Sequence, residues 1–160
     1  MAIRHVTETG VEMIKMFEGY RAKPYYCPAG FLTVGFGHVI GESEKEKLTY
    51  LSREEAEELL KKDLIRYEKY VLRLINVPLT DGMFDSLVSF TYNLGSGALQ
   101  RSTLRQKLNR EEYQDAADEF PKWCWVNGRK SAGLLKRRLI ERDVFLYGNY
   151  PVLNSNLEGR

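Results

Sequence analysis

Residues 17–38, FEGYRAKPYYCPAGFLTVGFGH, are the part of this 160-residue chain that the helical patterns on either side cannot absorb. Pro24, Pro28, Gly30, Gly35 and Gly37 break any helix there, while aromatic and β-branched residues between them suit short strands. The pattern predicts a small β-hairpin or three-stranded sheet over residues 20–40, turning near Ala29-Gly30. Upstream, Thr7 is placed as an N-cap with Val6 and Val11 as a hydrophobic staple. Val11, Ile14 and Phe17 then fall at helical spacing, and Gly19 suits the stop. Downstream, Ser52 and Glu55 form a capping box stapled by Leu51 and Ala56. Leu60, Leu64, Tyr67, Val71 and Leu74 follow at i+3/i+4 spacing, which makes about 24 residues, or roughly 36 Å, of helix.

Pro78 ends that run. Thr80 caps the next helix, with Leu79 and Phe84 as staple, and it runs toward Gly95. Asn109 and Glu112 read as another capping box, stapled by Leu108 and Tyr113, with Pro121 closing the helix. A last helix spans Ser131 to Tyr147 and stops at Gly148 and Pro151. The fold class expected is α+β: a mainly helical, two-lobed domain with a small N-terminal β-hairpin or sheet and a long linking helix. The expected divisions are a small α+β lobe over about 1–50, a linking helix over 51–76, a helical lobe over 77–150 and a frayed polar tail over 151–160.

Composition narrows the chemistry. Hydrophobic residues make up 43% and charged residues 29%, a balance that can bury a core. The 24 Lys+Arg and 22 Asp+Glu leave a net charge of +2, too small to point to nucleic acid. Two cysteines, Cys27 and Cys124, cannot build a disulfide scaffold, and with only His5 and His38 beside them no metal centre or cofactor is expected. Residues 1–19, MAIRHVTETGVEMIKMFEG, contain no signal-peptide core or membrane span, so the chain is expected to stay in the cytosol where it is made until released.

Glu18, Cys27, Thr33 and His38 fall within 21 residues around the hairpin. Glu18 ends a helix among Phe17, Tyr20 and Tyr25. Apolar surroundings and the partial negative charge of a helix C-terminus both disfavour a charged carboxylate, which is the condition for a general acid. An ordinary surface glutamate is the alternative. Cys27 is either a small apolar side chain or a thiol activated by its surroundings. Thr33 alone is simply a good strand residue, and His38 alone reads as structural more readily than as a base. Gly35-x-Gly37 lacks the helix that a phosphate loop would open.

Together, Glu18, Cys27 and Thr33 reproduce the E-x8-[D/C]-x5-T pattern of phage-type lysozymes, the endolysins of glycoside hydrolase family 24. Residues 17–38 resemble that family's active-site hairpin. FDSLVSFTYNLGSGAL, residues 84–99, resembles its central helix, and GLLKRRLIERDVFLYG, residues 133–148, its C-terminal helix with paired arginines. The resemblance implies hydrolysis of the β-1,4 bond between N-acetylmuramic acid and N-acetylglucosamine in peptidoglycan during host lysis. Glu18 would be the general acid and Thr33 would position a water. Cys27 stands where another branch of the family has Asp, and could act as a base, a charge stabiliser or a nucleophile. Arg137 or Arg138 would pair with Glu18, and His38 would hydrogen-bond near Glu18 and brace the hairpin. Val39, Tyr92, Ser102 and Glu119 would face the cleft. The whole chain, 1–160, would be one catalytic domain, monomeric, without nucleic-acid binding or stable membrane insertion. It would need a holin-like pore to reach the periplasm and cell wall.

Other readings stay open. A lytic transglycosylase would use the same acid without water. A cysteine peptidase would be built on Cys27 and His38, and a non-catalytic module would bind wall without clearing it. Trp123-Cys124-Trp125 reads as core more readily than as a sugar platform. The basic run of Arg129, Lys130, Lys136, Arg137, Arg138 and Arg142 reads either as a solvated helix face or as a contact for anionic wall polymer.

Overall fold

The computed structural model describes residues 3–151. The expected tail therefore lies, apart from Pro151, outside the described residues. The chain forms two compact units. One is Ile14–Arg66, and the other is built from the chain on either side of it.

In the Ile14–Arg66 unit, the end of α1 (Glu8–Glu18) leads into β1 (Arg21–Tyr26), β2 (Leu32–Gly35) and β3 (His38–Val39). They pair antiparallel in the order β1-β2-β3, with Tyr25 opposite Thr33, Thr33 opposite Val39, and Val34 opposite His38. The register slips between Arg21 and Tyr25, around Pro24, which has no N–H to give to a ladder. A 3-10 turn at Glu42–Glu44 follows, then α2 (Arg53–Leu74), whose first residues belong to this unit. Ser52 and Glu55 close the expected capping box in both directions, at 3.1 and 2.9 Å. Gly35 lets α2 approach the sheet. Its φ is +69°, and a Cβ there would sit 3.3 Å from both the Ala56 Cβ and Leu51 Cδ1. Leu51 is pinned by its N–H to the Ala22 carbonyl and by the Tyr20 hydroxyl, which donates to its own carbonyl at 2.7 Å.

The other unit is organised on α3 (Asp81–Leu94), buried on nearly every side. Thr80 caps it as the spacing predicts, accepting from the Met83 N–H. Around it lie α4 (Ser96–Arg101), α5 (Thr103–Asn109), α6 (Tyr113–Ala117), a 3-10 turn at Phe120–Lys122 and α7 (Ala132–Tyr147). Phe120 packs edge-on against Phe90 and tilted against Phe145, each at 5.5 Å between ring centres. The polar residues of α3 that are buried all find partners: Ser86 donates to the Glu141 carbonyl, Ser89 to the Glu141 carboxylate, and Thr91 to the Leu87 carbonyl. Residues 4–10 close this unit on two buried acids. Glu68 accepts the Val6 N–H at 2.8 Å and meets the His5 ring, while Asp85 accepts the Thr7 N–H and hydroxyl and the Tyr150 hydroxyl.

Two expectations need correction. Asn109 does not open a helix: it ends α5, and its amide caps the end of α2 instead, donating to Leu74 O and accepting from the Asn76 N–H. That distant bond outcompetes the local box, and α6 starts after Glu112 with no side-chain cap. The segment between α5 and α7 also holds a hairpin that the pattern missed: β4 (Trp125–Val126) and β5 (Arg129–Lys130).

Candidate active site

Glu18 occupies the last position of α1, half-buried, and β1 begins three residues later. Cys27 directly follows β1 and opens the turn that joins it to β2. That turn is closed by the Gly30 N–H on the Cys27 carbonyl at 2.8 Å and by the Cys27 N–H on the Phe31 carbonyl at 2.9 Å. The fold of the backbone around residue 27 has a chemical consequence: the Cys27 thiol is held below the usual thiol range. The Phe31 backbone amide is the largest cause. Burial opposes it, and the Ala29 amide, the Thr33 hydroxyl and the Gly30 amide reinforce it. Thr33 lies in the centre of the sheet, only 3% exposed, and its hydroxyl donates to the Phe31 carbonyl at 2.9 Å. Pairing with Tyr25 on one side and Val39 on the other fixes its position.

His38 braces this sheet, but through partners the spacing did not reveal. Its Nδ1 lies 2.6 Å from an Asp63 carboxylate oxygen on α2, and its Nε2 lies 3.1 Å from Glu44. Both ring nitrogens are thus engaged by carboxylates other than Glu18. This leaves neither nitrogen to act as base for Cys27, against the peptidase reading. Asp63 and the Glu44 carboxylate raise the His38 pKa above its ordinary value, with the Asp63 hydrogen bond the largest cause and burial opposing. Asp63 sits among many charges on α2, so nothing in the sequence singled it out. Val39, next to His38, is 53% exposed.

The remaining expected site residues belong to the other unit. Tyr92 is half-buried, its ring edge-on to Tyr67 at 5.2 Å. Ser102 is buried, accepts the Arg105 N–H at 3.0 Å as N-cap of α5, and donates to the Leu99 carbonyl. Glu119 is buried between Lys107 at 2.9 Å and Lys122 at 2.6 Å. Burial pushes its pKa up, but the two lysines outweigh it and hold the carboxyl below the usual range. Arg137 and Arg138 are buried on α7 and converge on Glu141, itself fully buried. Arg137 also donates to the Ser89 carbonyl, and Arg138 to the Asn93 side chain at 2.7 Å. The basic run is therefore not one face. Arg142 pairs with Asp118, while Arg129 and Lys130 stand on the exposed hairpin. The tryptophan pair divides in the same way: Cys124 is buried and Trp123 packs on Phe90 at 5.6 Å, but Trp125 is 57% exposed.

Among the described residues, no group of three or more His, Cys, Asp or Glu is arranged to hold a metal ion. No helix among them is long and apolar enough to cross a membrane.

Comparison with known proteins bears on the same residues. Residues 15–141 match the family described as phage lysozyme. The chain is 42% identical over 146 residues to the endolysin of Bacillus phage B103, covering 90% of this chain but only 55% of that one. It is 38% identical over 144 residues to the endolysin of Salmonella phage P22, covering 88% of this chain and 97% of that one. The endolysin structure from Escherichia coli O157:H7 phage FAHEc1 matches with a TM-score of 0.85 at 33% identity, covering 94% and 99% of the two chains. The family match takes in the hairpin with Cys27 and Thr33, and the relatives match nearly the whole of this chain: it belongs to the phage lysozyme family.

Proposed function

We propose that this lysozyme cleaves the β-1,4 bond between N-acetylmuramic acid and N-acetylglucosamine in peptidoglycan by an acid–thiolate mechanism on the α1–hairpin segment. Glu18 donates a proton to the glycosidic oxygen as the C1–O bond breaks, and positive charge develops on the sugar ring. A water held by Thr33 attacks C1, and the Cys27 thiolate accepts its proton. Proton return from Cys27 to Glu18 through solvent restores both groups, so the net reaction consumes one water.

The observation that carries this reading is the turn around Cys27. Backbone amides of Phe31, Ala29 and Gly30 favour negative charge on the sulfur. Such a cradle does for a thiolate what an aspartate brings as its own charge. The enzyme would act at the cell wall after release, reaching it through a lesion made by a holin-type pore, and one catalytic domain would span the chain.

The test is clearing of purified peptidoglycan by wild type and Glu18→Gln, with mass and reducing-end analysis of the fragments. Loss of clearing in the variant, with reducing ends in the wild-type digest, is expected. Undiminished clearing by the variant would sink the acid assignment. Anhydro-sugar ends would replace hydrolysis with transglycosylation, and cut peptides in place of cut glycans would replace both.

A further inference from the structure

We infer that the β4–β5 hairpin is a contact finger for anionic phospholipid surfaces. Its strands pair Trp125 with Lys130 and Val126 with Arg129. Side chains alternate between the faces of a strand, so each face of the hairpin presents one apolar group and one cation. All four residues are exposed, with Trp125 at 57% and Val126 at 46%. An indole and an isopropyl group left in water on both faces are not explained by the packing of the unit.

The finger is nevertheless well formed. Asn127 and Gly128 have φ of 50° and 78°, the two successive left-handed residues that a tight turn of matched twist requires. Its base is anchored by the Ser131 N–H on the Cys124 carbonyl at 2.7 Å and by the buried Cys124 side chain. An isolated two-stranded hairpin is marginal in water, so ordered exposure of this kind rests on the turn and the base. Among the described residues neither Arg129 nor Lys130 has a carboxylate partner, and Lys130 instead lies 5.7 Å over the Trp125 ring. Other cations of this unit differ: Lys122 is matched to Glu119, Arg142 to Asp118, and Arg137 and Arg138 to Glu141.

This combination selects its occupant. A site built for sugar hydroxyls would surround an aromatic ring with carboxylates and amides, and the hairpin strands hold none. An anionic headgroup layer accepts all four side chains at once. Tryptophan and valine sit at the boundary with the acyl chains, while arginine and lysine reach back to the phosphates. Each cation near such a surface is worth about fivefold in affinity, so the pair is worth about 25-fold.

The experiment uses the full chain with vesicles of phosphatidylcholine alone and of equal parts phosphatidylcholine and phosphatidylglycerol, read by co-sedimentation and tryptophan emission. Wild type is expected to bind the anionic vesicles with a blue-shifted emission, and to release them as salt rises from about 0.05 M to about 0.5 M. Arg129→Gln/Lys130→Gln should bind about 25-fold more weakly, whereas Lys47→Gln/Lys69→Gln, exposed cations elsewhere, should change little. Trp125→Phe should keep most of the binding but lose the blue shift, leaving Trp123 as an unresponsive reporter. Thermal melts matching the wild type establish that the variants are folded, and hydrolysis of soluble muropeptides should be unchanged in all of them. Equal binding to neutral vesicles, an equal loss in both double variants, or no vesicle binding at all would each overturn the proposal. Binding only to purified wall would do so in favour of a glycan contact.

Discussion

Replacing His38 with Gln should destabilise the enzyme in a pH-dependent way, and the structure sets the size and the sign. The imidazole bridges Asp63 at 2.6 Å and Glu44 at 3.1 Å with its side chain 13% exposed. Hydrogen bonds to charged groups contribute about 1.5–3 kcal/mol. The two carboxylates are 22% and 37% exposed, so water screens them, and the net effect is set at about 1–2 kcal/mol. For a chain of this size that is a drop in Tm of about 3–6 °C. Folding raises the His38 pKa, so the folded state binds the proton more tightly than the unfolded chain does. The bridge therefore contributes in full below the unfolded value of about 6.5, and its ionic part fades as pH rises through the raised folded value. Glu44 works the other way: the Gly41 amide first, and then His38, lower its pKa, so its share is lost only in acid. The assay is thermal unfolding of wild type, His38→Gln, Asp63→Asn and the double variant at about pH 6 and about pH 9.5. The wild-type advantage and the His38–Asp63 coupling should both be larger at the lower pH. An advantage that is equal at the two pH values, or effects of the single variants that simply add, would refute the reasoning.

Two further predictions follow from the geometry. Cys27→Asp should retain much of the clearing activity because the same amides would cradle a carboxylate, whereas Cys27→Ala should lose most of it; wild-type activity in Cys27→Ala, measured on purified peptidoglycan, removes the sulfur from the mechanism. Gly10→Ala should lower stability by about 1–3 kcal/mol by overpacking, because the new Cβ would lie 2.5 Å from Asp85 Oδ2 and 2.6 Å from Val6 Cγ1; an unchanged urea midpoint would contradict that packing.

Much of this fold could be read from local signals because those signals survive folding intact. Thr7, Ser52, Thr80 and Ser131 all cap the helices whose starts they mark, since each bond closes within four residues and needs no distant partner. The Asn109 box failed for the converse reason: a better partner lay at the end of α2, far away in sequence. The β4–β5 hairpin carried a legible signal in Asn127-Gly128, hidden by the expectation that two nearby tryptophans meant core. Of the candidate site, the Glu18–Cys27–Thr33 spacing was legible because it lies within one stretch of chain. The partners of His38 were not, because Asp63 is 25 residues away on a helix already rich in acids. Ser102 and Glu119 were named through the resemblance, and their local partners, an α5 cap and two lysines, carried no signal in the spacing.

The docking of residues 4–10 has a consequence for how the chain is made. The acid that receives Thr7, Asp85, lies 78 residues further along the chain. At about 5–20 residues per second, Thr7 waits about 4–16 s for that partner to be synthesised. Tyr150, which meets the same carboxylate, arrives 65 residues later still. This unit can therefore reach its final hydrogen bonding only once Tyr150 has been synthesised, whereas Ile14–Arg66 is an uninterrupted segment complete well before then. Truncated products of translation would thus hold the candidate catalytic hairpin without the finished unit built on α3.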